Sequence, residues 1–425
     1  MVRFFVVLFV IIIGIVPAKA NANREYSPNE FKGSDTERII AAVKAAKYDS
    51  KIVRIPRMNT NGSQIWKIDE AILLPDGISM ILDNCTLQLS DSSRDNMFRS
   101  ENVGIGITNP AWIHNLSITG LGKVILKGAD NPRSTGDGKR QLVLDPASAQ
   151  KNGNWRVSYG SDAGKVNRKQ TGDWRNILIL VAYVKGFRLE NVTLENTHAW
   201  AVSFERTHHA YISDINIHNP EDILINGKKI RVYNKDGINL RHGCKYFTIR
   251  NIQGINGDDL IALSSLDVAP GHPANGDINS YQVTSTSWSG PEDDTEQVYI
   301  NNCQTNYCGV GIRASMGASI HHIFIDGVFT SKRSDIPPPY GGSPYSVLVG
   351  GKGYGDNTQK DKIHHVFARN IIGDGKNLIL IEAPVADCSF SSGIYSGSAP
   401  EAITFNIDPH LLKNVNYFNL IKVSN

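Results

Sequence analysis

The chain has 425 residues, 41% of them hydrophobic and 20% charged, and a formal net charge of +3. That apolar content supports a large buried core, while so small a charge excess leaves no electrostatic footprint for nucleic acid. With 38 glycines and little helical periodicity, composition favours one large all-β unit over several α/β domains.

Residues 1–20 read as a cleavable signal peptide. Arg3 is the positive start, Phe4 to Val16 the apolar stretch, and Ala18-Lys19-Ala20 the small-residue cleavage site. The apolar run is short for a membrane span, so the expectation is a secreted or periplasmic protein with no membrane insertion after cleavage. Residues 21–425 are then one domain. Ser34 to Ala46 has helical apolar spacing, with Asp35 as the expected N-cap. Ile52 to Pro56 and Trp66 to Leu74 read as strands, and Ile78 to Leu89 as a strand pair bent at Asp83-Asn84.

From Ile113 the chain repeats itself. Leu116-Ser117-Ile118-Thr119-Gly120 returns in form as Val192 to Asn196, Ile215 to Asn219 and Ile252 to Asn256, and Ile325 to Val328 and Arg369 to Gly373 continue the pattern. A repeat built of short β-branched runs with Asn or Gly at the corners predicts a parallel β-helix, not a helical solenoid. Three long polar insertions, 128–175, 267–296 and 331–345, interrupt it, and such loops are usually functional or disordered. The five cysteines are scattered; a Cys303–Cys308 pair is open, buried filler is the commoner role, and no spacing suits zinc.

The repeat is organised around Asn234-Lys235-Asp236-Gly237-Ile238-Asn239-Leu240 and, one coil on, Gly257-Asp258-Asp259-Leu260-Ile261-Ala262-Leu263. Each places acid at the mouth of a period-two strand. Asp is depleted in strands and common in turns, so one Asp-Gly is ordinary turn chemistry, but stacked like charges repel and their retention points to use. If the strands around 199–204, 237–241, 260–264, 311–314, 347–349 and 378–381 stack, the outward residues are His198 and Trp200, Asn239 and Arg241, Ala262 and Ser264, and Gly311 and Arg313. Asp258 and Asp259 reach one groove only if the chain bends between them.

Carboxylates flanking one bond can hydrolyse a glycoside, one protonating the leaving oxygen and another activating water. Trp200 suits stacking on a sugar ring or burial in a core. Arg241 and Arg313 suit a sugar carboxylate or sulfate, or are solvated cover for the sheet. His198, His208, His209 and His242 are proton-transfer candidates, each also at home in a structural role.

These motifs resemble glycoside hydrolase family 28, the polygalacturonase-type enzymes. Asn234-Lys235-Asp236 is similar to the family's Asn-Thr-Asp, and Gly257-Asp258-Asp259 to its Gly-Asp-Asp. The likeness spans most of residues 30–410 and implies a single-domain right-handed parallel β-helix with an N-terminal capping helix. It implies Asp258 or Asp259 as general acid and the remaining aspartates as activators of water in an inverting hydrolysis. Asn234, His198, Trp200, Asn239, Arg241 and Arg313 are the expected substrate-binding residues. Gly309-Val310-Gly311 stands where the family has Gly-His-Gly, and the family's Arg-Ile-Lys has no clear counterpart, Arg313 or Lys352 being stand-ins.

The expected activity is hydrolysis of an acidic, pectin-like polysaccharide by a monomer that needs no cofactor or metal. Two other readings stay open: a polysaccharide lyase in which the aspartates hold calcium, and a non-catalytic glycan-binding β-helix.

Overall fold

The computed structural model describes residues 24–93, 95–104, 107, 109–130, 156–158, 174–220, 222–225, 228–233, 235–265, 290–314, 319–331, 344–351 and 358–423. The signal-peptide stretch, most of the three insertions, Asn234 and Lys352 lie outside these residues.

The fold is a right-handed parallel β-helix whose strands, among the described residues, form one sheet of 22 strands wound into coils. Successive coils pair in parallel register, and the same chemistry recurs at the same place in each. The interior row Val202–Ile238–Ile261–Val310–Val347–Ile379–Ile403 is buried throughout, as is Phe204–Leu240–Leu263–Ile312–Val349–Ile381. Stacking a β-branched or leucine side chain on its equivalent about 4.8 Å away fills the core without voids.

The corners explain the asparagines. Asn191, Asp214, Asn251, Asn302 and Asn370 occupy one corner position, all with φ between 54° and 59°, and Gly327 fills it between the last two. This left-handed conformation suits Asn and Asp better than most residues. Their side chains also bond along the stack: Asn251 Nδ2 donates to Asp214 Oδ1 at 2.9 Å, and Asn302 Nδ2 to Asn251 Oδ1 at 2.8 Å.

The helix Asp35–Lys47 closes the first coil, burying Ile39, Ala42, Val43 and Ala46. Its N-cap is Ser34, not Asp35: Ser34 and Glu37 form a reciprocal capping box. Asp35 instead accepts the Lys67 N–H at 2.9 Å. Thr36 Oγ1 accepts from Asp69 N at 2.8 Å, and there the expected strand from Trp66 to Leu74 breaks into Ile65–Ile68 and Ile72–Leu74.

One further expectation is corrected. Leu116 pairs with Phe187 and Ile118 with Leu189, so 116–120 belongs to a different row from 192–196, whose partner is Ile125–Lys127. Period-two patterns on different faces of a coil look alike in sequence. All five cysteines are free and buried. Cys303 sits in the interior core and Cys308 in a separate cluster with Tyr345 and Leu348, so the two thiols face opposite sides of the wall.

Candidate functional site

The register sets one outward position two residues ahead of the interior row. Gly237 N donates to Asp259 O at 2.9 Å and Ala201 N to Asp236 O at 2.9 Å, and Asp259 pairs with Cys308. Carried along the coils, this stacks Trp200, Asp236, Asp259, Cys308 and Tyr345 in line. The bend between Asp258 and Asp259 is present: a carboxylate oxygen from each and Cys308 Sγ all lie within 4.8 Å of one another. Asn239, Ala262 and Gly311 form the next outward row, and Ser264 pairs with Arg313. On the preceding coil the partner of Asn239 is Ser203, a row that sequence alternation had assigned to His198 and Trp200.

Asp259 is buried and held at both oxygens. Arg313 Nη1 donates to Oδ2, Tyr345 Oη donates to Oδ1 at 2.5 Å, and Arg313 Nη2 donates to Tyr345 Oη at 2.8 Å. Gly311 makes room for this: a Cβ there would sit 2.5 Å from Asp259 Oδ2 and collide with Arg313 Nη1. Asp236 is also buried and takes a 2.7 Å hydrogen bond at Oδ2 from Asn239 Nδ2. Burial, then the charges of Asp258 and Asp259, push its carboxyl well above the usual carboxylate range, against the pull of Arg313 and Asn239. Asp258 is the least buried of the three.

This set fits a cation poorly. Calcium prefers six or more oxygen ligands, and here a guanidinium and a thiol share the space. Burial and the nearby carboxylates push the Cys308 thiol well above its ordinary value, keeping it protonated.

The remaining candidates fall around this row. Trp200 is buried in an apolar cluster with Val103, Trp174, Ile177, Leu180 and Ala182, and the Arg241 guanidinium lies 5.3 Å from its ring centroid. The Nε2 of His198 accepts from Ala129 N at 3.0 Å. His208 lies in the row of Lys245, packed on Trp112 with ring centroids 4.6 Å apart; burial and then Lys245 bring its pKa down to about 4. His209 is exposed and stacks on Tyr246 at 4.7 Å. His242 is buried. Val310 is fully buried in the interior row, so its side chain is on the far side of the wall from the aspartates.

Sequence reading missed Tyr345 and Cys308. A signal existed: each precedes its interior valine, Val347 or Val310, by the same offset as Asp236 precedes Ile238. It also missed a buried ion network beside the row. Arg206 Nε donates to Asp293 Oδ1 at 2.6 Å and Nη2 to Oδ2 at 3.0 Å, and Nη1 pairs with Glu205.

The family model described as glycosyl hydrolases family 28 matches residues 146–313, a stretch containing all three aspartates and ending at Arg313. Among solved structures, the chain is similar to PfbA, a surface adhesin of Streptococcus pneumoniae, at 10% identity and TM-score 0.53, covering 94% of this chain and 91% of that one. It is similar to an exopolygalacturonase from Thermotoga maritima at 14% identity and TM-score 0.49, covering 93% and 92%. The family 28 exopolygalacturonase of Yersinia enterocolitica matches at 13% identity and TM-score 0.49, covering 94% and 79%. No curated protein matches the chain. At these identities the structural likeness concerns the fold.

Proposed function

We propose that the chain is an exported glycoside hydrolase acting on a pectin-like polysaccharide, with Asp236, Asp258 and Asp259 as its acid and base groups. The observation that carries this reading is that Asp236 and Asp259 share one row with the Asp258 carboxylate beside them, burial and mutual repulsion raising the Asp236 carboxyl. Such crowding holds a proton on the set above the ordinary carboxylate range, and that proton belongs to the group as a whole. Asp258, the least buried member, passes it to the leaving glycosidic oxygen. Asp259, held by Arg313 and Tyr345, takes a proton from the attacking water, and the set returns to its starting charge. The family match over residues 146–313 and the signal-like residues 1–20 support hydrolysis and export respectively.

The deciding experiment is product analysis on a panel of pectic and sulfated glycans, with and without EDTA. Saturated sugars released regardless of chelator support the reading; unsaturated products lost with EDTA refute it in favour of a lyase. A second reading, a glycan-binding solenoid without turnover, is favoured by the deep burial of Asp236 and Asp259. Tight glycan binding with no new reducing ends after long incubation would select it.

A further inference from the structure

We infer that the sugar unit lying against Asp259 is neutral, because Arg313 is the fixed counter-ion of that carboxylate and is not offered to a carboxylate on the substrate. The inference rests on the glycoside-binding reading of this row.

Arg313 is 6% exposed and Asp259 2%. The guanidinium uses Nη1 on Asp259 and Nη2 on Tyr345 Oη at 2.8 Å, and the Tyr345 hydroxyl closes the ring onto the other carboxylate oxygen at 2.5 Å. Three side chains from three coils thus hold one another through both Nη atoms of the guanidinium. Drawing Arg313 onto a sugar carboxylate would leave Asp259 buried without its ion partner, which is strongly unfavourable. The surroundings are also already acidic. The charges acting on Asp236 are Asp258 and Asp259 against Arg313, so a sugar carboxylate would add a further negative charge to a crowded row.

The next outward row asks for hydroxyl groups. Ser203 and Asn239 are paired neighbours on adjacent coils, each 1% exposed. Ser203 Oγ and Asn239 Oδ1 are buried with no hydrogen-bond partner. Asn239 Nδ2 is committed to Asp236 at 2.7 Å, so the amide turns an acceptor, not a donor, to this place. An amide oxygen welcomes a hydroxyl proton and repels a carboxylate. Arg241 lies against the Trp200 ring, at the opposite end of the row from Arg313.

The test compares polygalacturonan with the same polymer after carboxyl reduction, so that linkage is constant and only charge changes. New reducing ends and binding by affinity electrophoresis are measured on the wild-type protein. The expected result is at least a tenfold preference for the reduced polymer in kcat/KM or, without turnover, in affinity. Equal or stronger use of the uronate overturns the inference. Absence of cleavage of any glycan refutes the hydrolase reading separately, because the binding ratio still decides the charge of the preferred unit. Tyr345→Phe supplies a second readout. It is expected to lower kcat on the reduced polymer and move the acid limb of the pH profile upward while KM stays within twofold. An unchanged profile would overturn the role given to the Arg313–Tyr345–Asp259 ring.

Discussion

Tyr345 and Asp259, 86 residues apart in sequence, meet at 2.5 Å through a hydrogen bond from the phenol hydroxyl to Oδ1. Burial, followed by the Asp259 charge, pushes the phenol well above its ordinary pKa, so it stays a donor. The contact exists because the β-helix returns the chain to the same outward position on successive coils. It makes Asp259 the most tightly held member of the acidic row.

Asp258→Asn and Asp259→Asn should each reduce hydrolysis by on the order of 10²–10⁴-fold, the usual weight of a positioned acid or base. Their stabilities should differ. Asp258 is partly exposed and its replacement should leave thermal unfolding nearly unchanged. Asp259→Asn strips Arg313 of its buried partner and should cost roughly 3 kcal/mol. Reducing-end assays with calorimetry check both, and full activity in either variant would contradict the assignment.

Asp236 predicts a stability trend with pH. Its folded pKa lies above the ordinary value of 3.8, so the fold keeps a proton that the unfolded chain has already lost. Its contribution to stability is fully present below pH 3.8 and fades as pH rises towards the folded pKa. Asp236→Asn, which has no proton to lose, should gain melting temperature relative to wild type as pH rises from 4 to about 7. A constant difference across that range would show that Asp236 is not held protonated.

A histidine ladder on the outside of two coils gives the opposite sign. His321 stacks on His364 and His322 on His365, each with ring centroids 4.7 Å apart. Glu296 faces His321 Nε2 at 3.5 Å, with Asp294 at 4.0 Å. Burial, then the neighbouring imidazole of His321, brings His364 from 6.5 down to about 4. The folded state therefore resists a proton that the unfolded chain accepts, and stability falls as pH drops from 6.5 towards 4. His364→Gln should flatten that fall, as read from urea midpoints at pH 7 and 4.5.

Gly309 and Gly311 separate backbone from side-chain constraint. A Cβ at Gly309 would collide with the backbone carbonyl of Ser346, whereas one at Gly311 meets the side-chain ends of Arg313 and Asp259. Gly309→Ala should destabilise by about 1–3 kcal/mol because the backbone itself must move. Gly311→Ala should cost less stability and more activity, since it displaces the ion pair that holds Asp259. Thermal unfolding beside relative kcat distinguishes the two.

The parts of this molecule that were legible beforehand are those the coil repeats. Period-two alternation in Ile238-Asn239-Leu240 and Ile261-Ala262-Leu263 disclosed the strands. Asn at one corner disclosed its turns, because Asn suits the left-handed conformation better than most side chains. The row Asn239–Ala262–Gly311 followed from alternation alone. His198 and Trp200 were placed in that row on the same logic, but alternation does not carry through a corner, and the ladder puts Ser203 there.

Sequence by itself determined the β-helix, its helical cap and the acidic pair of strands, since each is a local pattern of hydrophobicity and backbone preference. Tertiary structure alone decided what those acids touch. Whether Arg313 faces solvent, substrate or Asp259, and whether Tyr345 belongs to the row at all, depends on the stacking register of coils separated by loops of unequal length. That register is set by packing of the interior row, a long-range property that no local spacing encodes.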